Sequence, residues 1–118
     1  MTIEEKIELA LAAGGDVMTF ADLVELARAG RVQLWGNRET LVATEILTYP
    51  RKRALNAFMV AGSVEGVFRL QDQIVEFARD EGCHAIVAHG RRAWGRLGRA
   101  GGWREHSTCF VLPLELLQ

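Results

Sequence analysis

The sequence contains few of the residues that interrupt a fold or cross-link it. Among 118 residues there are two prolines and two cysteines, and there is no low-complexity tract. A disordered segment is therefore not expected. The two cysteines, Cys83 and Cys109, do not follow the spacing of a secreted disulfide framework, so both thiols are expected to be reduced.

Two further absences concern targeting and partners. No apolar run approaches 18 residues and the first residues carry acids rather than a basic region, which argues against a membrane span and a signal peptide and predicts a cytoplasmic protein. The 14 basic and 15 acidic residues give a formal charge of −1. Because no global basic surface can neutralise phosphates, no nucleic-acid partner is expected.

What is present is ordinary for a globular domain. Hydrophobic residues make up 49% of the chain and charged residues 25%, so a buried core is expected. One domain usually takes about 100–200 residues. No linker or internal repeat divides the chain, so residues 1–118 are predicted to form a single domain.

The N-terminal half predicts two short helices followed by three strands. Thr2 and Thr19 each stand where a hydroxyl can cap a helix, and glycines follow both helical patterns. The spacing then changes to short runs of aliphatic, hydroxylic and aromatic residues. These runs predict three antiparallel strands in a meander, at 32–35, 41–48 and 54–61.

The C-terminal half predicts a long helix, a strand, a short helix and a last strand. Gly62-Ser63 opens the longest amphipathic helix, and the run HAIVAH at 84–89 suits a buried strand. Residues 91–99 predict a short basic helix, and 105–112 predict the last strand. The full order is α-α-β-β-β-α-β-α-β, an α/β (α+β) fold in which a right-handed crossover makes strands 54–61 and 84–89 parallel. The expected architecture is a mixed, mostly antiparallel sheet with helices on both faces.

This order resembles that of the GNAT superfamily, the N-acetyltransferase-like proteins. A strand at 55–60 leads through a glycine-containing turn into a long helix, and Gly102-Trp103 looks like the Gly-Phe pair that follows the last helix in that superfamily. Shorter motifs resemble GNAT-like proteins of tailed phages and prophages: Gly90-Arg91-Arg92-Ala93-Trp94, Thr44-Glu45-Ile46 and Tyr49-Pro50. The resemblance covers positions 31–112 and implies the GNAT fold.

The resemblance implies that acetyl-CoA or another acyl-CoA is the cofactor. In the family the pantetheine arm lies along the strand before the long helix. The pyrophosphate lies at the N-terminus of that helix, where free N–H groups and the helix dipole attract an anion. The corresponding residues in this sequence are Phe58, Met59, Val60, Gly62 and Ser63.

Two features depart from the family pattern. The stretch 61–66 lacks the full glycine pattern and the leading Arg or Gln of the family's pyrophosphate loop, and Glu65 within it is expected to repel a pyrophosphate. Gly98 occupies the position where many members carry a tyrosine that protonates the departing thiolate. The only tyrosine of the chain, Tyr49, lies in a predicted turn far from that position.

Glu45 and His89 are the candidate catalytic residues. Glu45 interrupts an otherwise apolar and hydroxylic strand. It is either the general base that deprotonates an amine or a solvent-facing residue of a half-covered strand. His89 follows a predicted parallel strand at its carboxyl end, where ligands of open sheets bind, and is either a base or a hydrogen-bonded structural residue.

Arg91 and Arg92 begin the predicted basic helix beside His89. In one interpretation they bind a phosphate of CoA or an acidic partner, and in the other they form a solvated helical face. The cysteines and histidines do not have the spacing of metal ligands, so no metal site is expected.

Two functions remain open. One is an acyl-CoA-dependent N-acyltransferase, or an acyl-CoA-binding domain, that acts on an amine-bearing substrate. The alternative is a non-catalytic GNAT-fold module for binding or virion assembly that takes a protein partner and has lost acetyltransferase chemistry. A spare sheet edge would also permit a homodimer.

Overall fold

The computed structural model describes residues 1–37, 39–89, 99–107 and 109–116. Its helices are α1 (Ile3–Ala13), α2 (Phe20–Arg28) and α3 (Val64–Asp80). Its strands are β1 (Gln33–Gly36), β2 (Leu41–Thr48), β3 (Arg53–Ala61) and β4 (Ala85–Ala88). Short 3₁₀ turns occur at Arg99–Gly101 and Leu114–Leu116. Of the helices in these ranges, none is both long and apolar enough to cross a lipid bilayer.

Both N-terminal helices begin at a threonine whose hydroxyl accepts a backbone hydrogen bond. The Thr2 hydroxyl accepts from the N–H of Glu5 at 3.1 Å. At α2 the exchange is reciprocal, because Thr19 accepts from the N–H of Asp22 while the Asp22 carboxylate accepts from the N–H of Thr19. Each bond satisfies an amide that has no partner within the helix. The helix starts predicted at Thr2 and Thr19 are confirmed.

The four strands form one sheet in the order β1-β2-β3-β4. β1 pairs with β2, and β2 pairs with β3, in antiparallel ladders, whereas β3 and β4 are parallel. α3 connects the two parallel strands, as a crossover unit requires. The mixed, mostly antiparallel sheet that the sequence predicts is therefore confirmed.

Helices cover both faces of the sheet, as predicted. α1 and α2 pack on one face, in a core cluster that includes Ile7, Leu11, Leu23, Ala43, Met59 and Ala61. α3 packs on the other face, in a cluster of Val42, Leu55, Ala57, Leu70, Ile74 and Ala78. Because side chains alternate between the two faces of a strand, β2 and β3 contribute to both clusters and lie at the centre of the protein.

The C-terminal part differs from the predicted order of elements. Residues 105–107 and 109–112 form no strand, although the pattern at 105–112 predicts one. The helix predicted at 91–99 lies outside the described residues except for Arg99, which begins a 3₁₀ turn.

The prediction of a buried strand at 84–89 is also wrong in part. β4 forms within this run, but it lies at the edge of the sheet, and Ala85, Val87 and Ala88 are exposed. An apolar run is buried only where other elements cover it, and no described residue pairs with the outer edge of β4.

Candidate functional site

Phe58 forms a β-bulge in the strand that the resemblance assigns to the pantetheine arm. Along the β2–β3 ladder, Thr44 pairs with Ala57 and Ala43 pairs with Met59, so Phe58 is an extra residue between the two pairs. A bulge leaves the backbone of the extra residue unpaired and bends the strand. Phe58 therefore has no partner residue in the β2–β3 ladder.

β3 and β4 stop pairing at the same place. Their parallel ladder ends where Ala57 pairs with Ala88, while β3 continues to Ala61. Beyond Ala57, no described strand pairs with this edge of β3. Backbone N–H and C=O groups require hydrogen-bond partners, and along 58–61 no described strand lies beside this edge to supply them. We call this stretch the open edge of β3.

The side chains of the open edge are used for packing. Met59 is 3% exposed and belongs to the core under α1 and α2, and Phe58 packs at the margin of the same core. Val60 points to the opposite face and packs against the core under α3. The backbone, rather than these side chains, is what this stretch can offer to a ligand.

The N-terminus of α3 follows directly on the open edge. Gly62 has a φ angle of 120°, which favours glycine, and it turns the chain from β3 into the helix. Ser63 caps the helix by accepting from the N–H of Gly66 at 3.1 Å. The first amides of a helix have no partners within it, and together with the helix dipole they favour an anion.

Thr40 lies against this turn with an unsatisfied hydroxyl. It is 1% exposed, and its Oγ1 has no hydrogen-bond partner among the described residues. A Cβ on Gly66 would overlap this hydroxyl, and a Cβ on Gly62 would lie 2.8 Å from it. The two glycines therefore allow the Thr40 hydroxyl, which can donate or accept a hydrogen bond, to reach the start of α3.

Thr44 provides a contrast with Thr40 on the neighbouring part of the chain. Its hydroxyl is fully buried, donates to Oε1 of Gln33 at 2.9 Å and accepts from Nε1 of Trp35 at 3.0 Å. A buried polar group without a partner costs about 1–3 kcal/mol. Thr40 has no such partner among the described residues, so its hydroxyl is an unsatisfied polar group at the α3 turn.

The carboxylate of Glu65 disfavours the binding of an anion at this turn. It lies in the first turn of α3, where a negative charge competes with an anionic ligand for the helix dipole. Its side chain is exposed, so solvent screens the charge and the carboxylate can turn away from the helix end. Glu65 therefore weakens anion binding without blocking the turn.

Glu45 is half-buried and hydrogen-bonded. Its Oε1 accepts from Nδ2 of Asn56 at 3.2 Å, and the two residues are cross-strand partners on β2 and β3. Asn56 is 8% exposed, and its Oδ1 has no partner among the described residues. Glu45 lies two residues from Ala43, so both it and Asn56 lie on the face that carries α1 and α2. A carboxylate and an orphaned carbonyl oxygen side by side can accept the N–H groups of an amine.

This pair lies close to the open edge. Asn56 precedes Phe58 by two residues, which is roughly 7 Å along the strand. Asn56 also pairs with Val87 of β4, whose side chain is exposed. The face that carries α1 and α2 is thus exposed at Val87, beside the buried Asn56.

His89 follows the last residue of β4 and is exposed. Since Ala88 pairs with Ala57, His89 lies beside the start of the open edge. Glu45 and His89 therefore border the same stretch of β3 from opposite sides, with two strand spacings, about 10 Å, between their strands. The structure places both candidates near the open edge without bringing them into contact.

Some of the residues that the sequence analysis singles out are not among the described residues. Arg91, Arg92 and Gly98 lie outside the described residues, and their roles stay predictions. Within the described ranges, no group of three or more His, Cys, Asp or Glu side chains could hold a metal ion. The two cysteines, Cys83 and Cys109, form no disulfide with each other.

Sequence reasoning misses Thr40 and Asn56. Asn56 carries a signal, since it is the single strongly polar residue in the run 54–61. Thr40 carries none, because a threonine before a strand is ordinary and its close approach to Gly62 and Gly66 depends on the tertiary structure. The bulge at Phe58 is likewise invisible in the sequence, since it depends on the register between two strands.

No protein-family model and no curated protein sequence matches the chain, but solved structures do. An acetyltransferase from Trypanosoma brucei matches with a TM-score of 0.66 and 13% identity, over 97% of this chain and 97% of its own. A predicted acetyltransferase from Clostridium acetobutylicum, solved with acetyl-CoA, matches with a TM-score of 0.65 and 10% identity, over 96% and 93%. A ribosomal-protein-alanine N-acetyltransferase from Brucella melitensis biovar Abortus 2308 matches with 0.61 and 14%, over 92% and 91%. The chain therefore has the fold of GNAT acetyltransferases, with a mixed four-stranded sheet and three helices among the described residues, and only part of the longer predicted order of elements is seen.

Proposed function

We propose that this protein binds acetyl-CoA or another acyl-CoA at the open edge of β3 and transfers the acyl group to an amine. Three features at one end of β3 carry the proposal. These are the bulge at Phe58, the open edge beyond Ala57, and the α3 N-terminus with the orphaned Thr40 hydroxyl. The neighbour of the same fold from Clostridium acetobutylicum, which was solved with acetyl-CoA, supports the choice of cofactor.

Binding relies on the backbone more than on side chains. The backbone N–H and C=O groups at 58–60 that point away from β2 match the amides of a pantetheine arm, which can lie along the open edge as an added strand does. The first amides of α3, together with the hydroxyls of Ser63 and Thr40, suit the pyrophosphate. Gly62 and Gly66 leave room at this turn for the Thr40 side chain. Arg91 and Arg92 are proposed to contact a CoA phosphate, as the sequence indicates.

The chemistry is assigned to Glu45 and Asn56. When bound, acyl-CoA supplies an activated thioester carbonyl. Glu45 accepts the proton of the attacking amine as the N–C bond forms and the C–S bond breaks, and the released thiolate takes up a proton from solvent. Asn56 orients the Glu45 carboxylate through Nδ2 and offers Oδ1 to an N–H of the acceptor. His89 is the second candidate base, because it borders the same stretch of β3.

Calorimetric titration with acetyl-CoA tests the binding step. We expect a dissociation constant in the micromolar range. Ser63→Glu places a negative charge at the start of α3 and should weaken binding about tenfold or more, because the charge competes for the same amides. An absence of binding at millimolar acetyl-CoA would overturn the proposal.

Two threonine variants separate a binding role from a structural one. Thr40→Val replaces an unpartnered hydroxyl with a methyl group of the same shape, so stability should be unchanged or higher while acetyl-CoA binds more weakly. Thr44→Val breaks two hydrogen bonds and should lower the free energy of unfolding by about 1–3 kcal/mol, with little effect on binding by the folded protein. The opposite pattern would remove Thr40 from the site.

Release of the CoA thiol tests the transfer step. With acetyl-CoA and a mixture of spermidine and a peptide with a free N-terminus as probe acceptors, Glu45→Gln should slow release about 10²–10⁴-fold while the affinity for acetyl-CoA is unchanged. Binding without release for every amine would favour the alternative, a GNAT-fold binding or virion-assembly module without acetyltransferase chemistry. An association with a phage or prophage stays a prediction from the sequence.

A further inference from the structure

Two rows of side chains cross the sheet on the face that carries α1 and α2. The first row consists of three paired residues, one from each of β2, β3 and β4: Glu45, Asn56 and Val87. The second row lies two residues further from the open edge and is built in the same way, from Leu47, Ala54 and Ala85. The residues between the rows pack in the core under α3, which places both rows on the opposite face: Ile46, Leu55 and Ile86.

Exposure on this face increases with distance from the two N-terminal helices. Ala43 and Met59, which pack under α1 and α2, are 0% and 3% exposed. Asn56 in the first row is 8% exposed. The second row, by contrast, consists of two half-buried residues and one exposed residue. The second row therefore has a surface that a ligand can contact, beside a polar pair that is more deeply buried.

The polar pair of the first row has an unused acceptor. Nδ2 of Asn56 donates to Oε1 of Glu45 at 3.2 Å, and Oδ1 of Asn56 has no partner among the described residues. A buried carbonyl oxygen without a partner is unfavourable. The nitrogen of an amine can donate to this oxygen and to the carboxylate at the same time. The first row thus suits the nitrogen of an acceptor.

The second row offers nothing that pairs with a charge. Its three side chains are aliphatic, and residues 46–55 include no acid. The turn just beyond the row, between β2 and β3, carries the exposed cations Arg51 and Lys52. A second ammonium over this row would therefore meet like charges instead of a carboxylate, which disfavours it. An apolar group placed there gains free energy because apolar area leaves water.

We propose that the acceptor is a primary monoamine on an apolar, uncharged carbon body. Its nitrogen binds at Glu45 and Asn56, and its carbon body lies over Leu47, Ala54 and Ala85. The inference rests on the proposed acyl transfer and adds the class of the acceptor. The nitrogen attacks the thioester carbonyl, the N–C bond forms and the C–S bond breaks. Glu45 takes the proton from the nitrogen, the thiolate takes one from solvent, and the products are the N-acyl amine and free CoA.

Two acceptors of equal chain length test the class. Hexylamine and 1,5-diaminopentane differ at one end, where a methyl group replaces an ammonium. From the release of CoA thiol we expect kcat/KM for hexylamine to exceed that for the diamine about tenfold or more. It should also rise about twofold to fourfold for each methylene added from propylamine to hexylamine.

The outcomes of this test separate the inference from the function on which it rests. Equal values for hexylamine and the diamine, or a preference for the diamine, would overturn the inference and leave acyl transfer in place. Release of no thiol with any amine would overturn the proposed transfer, and the inference with it. Binding of acetyl-CoA, measured separately by calorimetry, would then distinguish a binding module from a protein without a cofactor site.

A charge placed in the second row should reverse part of the preference. Ala85 is exposed, so Ala85→Asp leaves the protein folded, as circular dichroism would verify. The new carboxylate gives the second ammonium a partner, and the ratio of the two kcat/KM values should shift about threefold to tenfold towards the diamine. Ala88→Asp adds the same charge to β4 on the face of Ile86 and should leave the ratio unchanged. An absent shift, or an equal shift in both variants, would overturn the placement.

The length of the amine separates contact with the second row from damage to the site. Methylamine has no carbon body to lie over Leu47, whereas hexylamine does. Leu47→Ala removes apolar surface from the row and should lower kcat/KM for hexylamine about threefold or more, with methylamine unchanged. Glu45→Gln should instead slow both amines by a similar factor. If Leu47→Ala lowers kcat/KM equally for both amines, the carbon body does not lie on the second row and the inference fails.

Discussion

The two halves of β3 carry similar side chains but are paired differently. From Arg53 to Ala57 the strand has β2 on one edge and β4 on the other. From Phe58 to Ala61 it keeps only β2 among the described strands, and this half begins with the bulge. Side-chain burial does not follow this division, since Leu55 is 0% exposed and Met59 is 3% exposed.

This comparison separates what holds the strand in place from what leaves it open. Burial of side chains fixes both halves in the core, whereas backbone pairing is complete only in the first half. Along the open edge, side-chain packing holds the backbone in place while its outer groups have no described strand to pair with. Such an edge is preorganised, because a ligand that pairs with it requires little rearrangement of the protein. The end of β4 therefore determines where the candidate site lies.

The largest effect is expected where the strand is paired on both edges and buried. Leu55→Ala should lower the free energy of unfolding by about 2–5 kcal/mol, because it leaves a cavity in a core that cannot collapse. Val60→Ala, at a half-buried position of the second half, should cost about 1 kcal/mol. Urea unfolding measures both. Equal losses would contradict the dependence of the loss on the size and burial of the removed side chain.

The next effect concerns the turn that follows the second half. Gly66→Ala should destabilise the protein by about 1–3 kcal/mol, because the new Cβ overlaps the Thr40 hydroxyl. Thr40→Ala removes that hydroxyl, so the double variant should recover part of the loss. A double-mutant cycle by urea unfolding measures the coupling. If the losses in free energy of unfolding are additive, the two residues are not in steric contact.

Deletion of Phe58 tests the bulge itself. The partners of Ala57 and Met59, which flank Phe58, are consecutive residues of β2. The deletion therefore leaves a continuous ladder in which Met59, Val60 and Ala61 keep their faces. We expect a folded protein whose affinity for acetyl-CoA falls about tenfold or more, since the unpaired backbone group is lost. Phe58→Ala keeps the bulge and should change affinity much less. Calorimetry that finds the deletion variant binding normally would remove the bulge from the site.

A smaller effect is expected from Glu65. Glu65→Gln removes a negative charge from the first turn of α3 and should tighten acetyl-CoA binding about twofold to fivefold at low salt, because an anion at a helix N-terminus gains about 0.3–1 kcal/mol from the dipole. Glu76→Gln changes an exposed residue further along the same helix and serves as the control. If Glu76→Gln tightens binding equally, the gain reflects net charge rather than the helix end.

The smallest effect concerns α2, which covers the second half of β3 through the cluster that contains Leu23 and Met59. The backbone N–H of Thr19, and then its hydroxyl, lower the pKa of Asp22 below 3.8. A lowered pKa means that ionised Asp22 stabilises the folded state above pH 3.8, and that this contribution is lost as the pH falls through the folded-state pKa. Asp22→Asn should therefore be less stable than the natural protein at pH 7, and the difference in midpoint of urea unfolding should shrink below pH 3.8. A difference that does not vary with pH would contradict the capping role of the carboxylate.

Local patterns predicted most of the fold up to β4. The caps at Thr2, Thr19 and Ser63 and the change from helical to strand spacing gave the elements their approximate bounds. The same reasoning was wrong about the burial of 84–89 and about a strand at 105–112 in the described chain. Both errors concern the edge of the sheet, where burial depends on a neighbour that local sequence does not specify.

The candidate site was predicted only in part. The resemblance to GNAT proteins selected the end of β3 and the start of α3, and Glu45 and His89 both border that region. The contacts that give the region its chemistry were not predicted, because they join residues distant in sequence. Asn56 reaches Glu45 across two strands, and Thr40 reaches Gly66 from the turn before β2.

By itself, the sequence determined which segments form helices and strands and which of their faces are apolar, because capping and hydrophobic periodicity act over a few neighbouring residues. Only the tertiary structure decided that Phe58 is an extra residue in its ladder, that β4 ends beside it, and that the buried Thr40 hydroxyl has no partner among the described residues. Those features depend on register and packing between separate segments, and a shift of one residue would change them without altering any local preference.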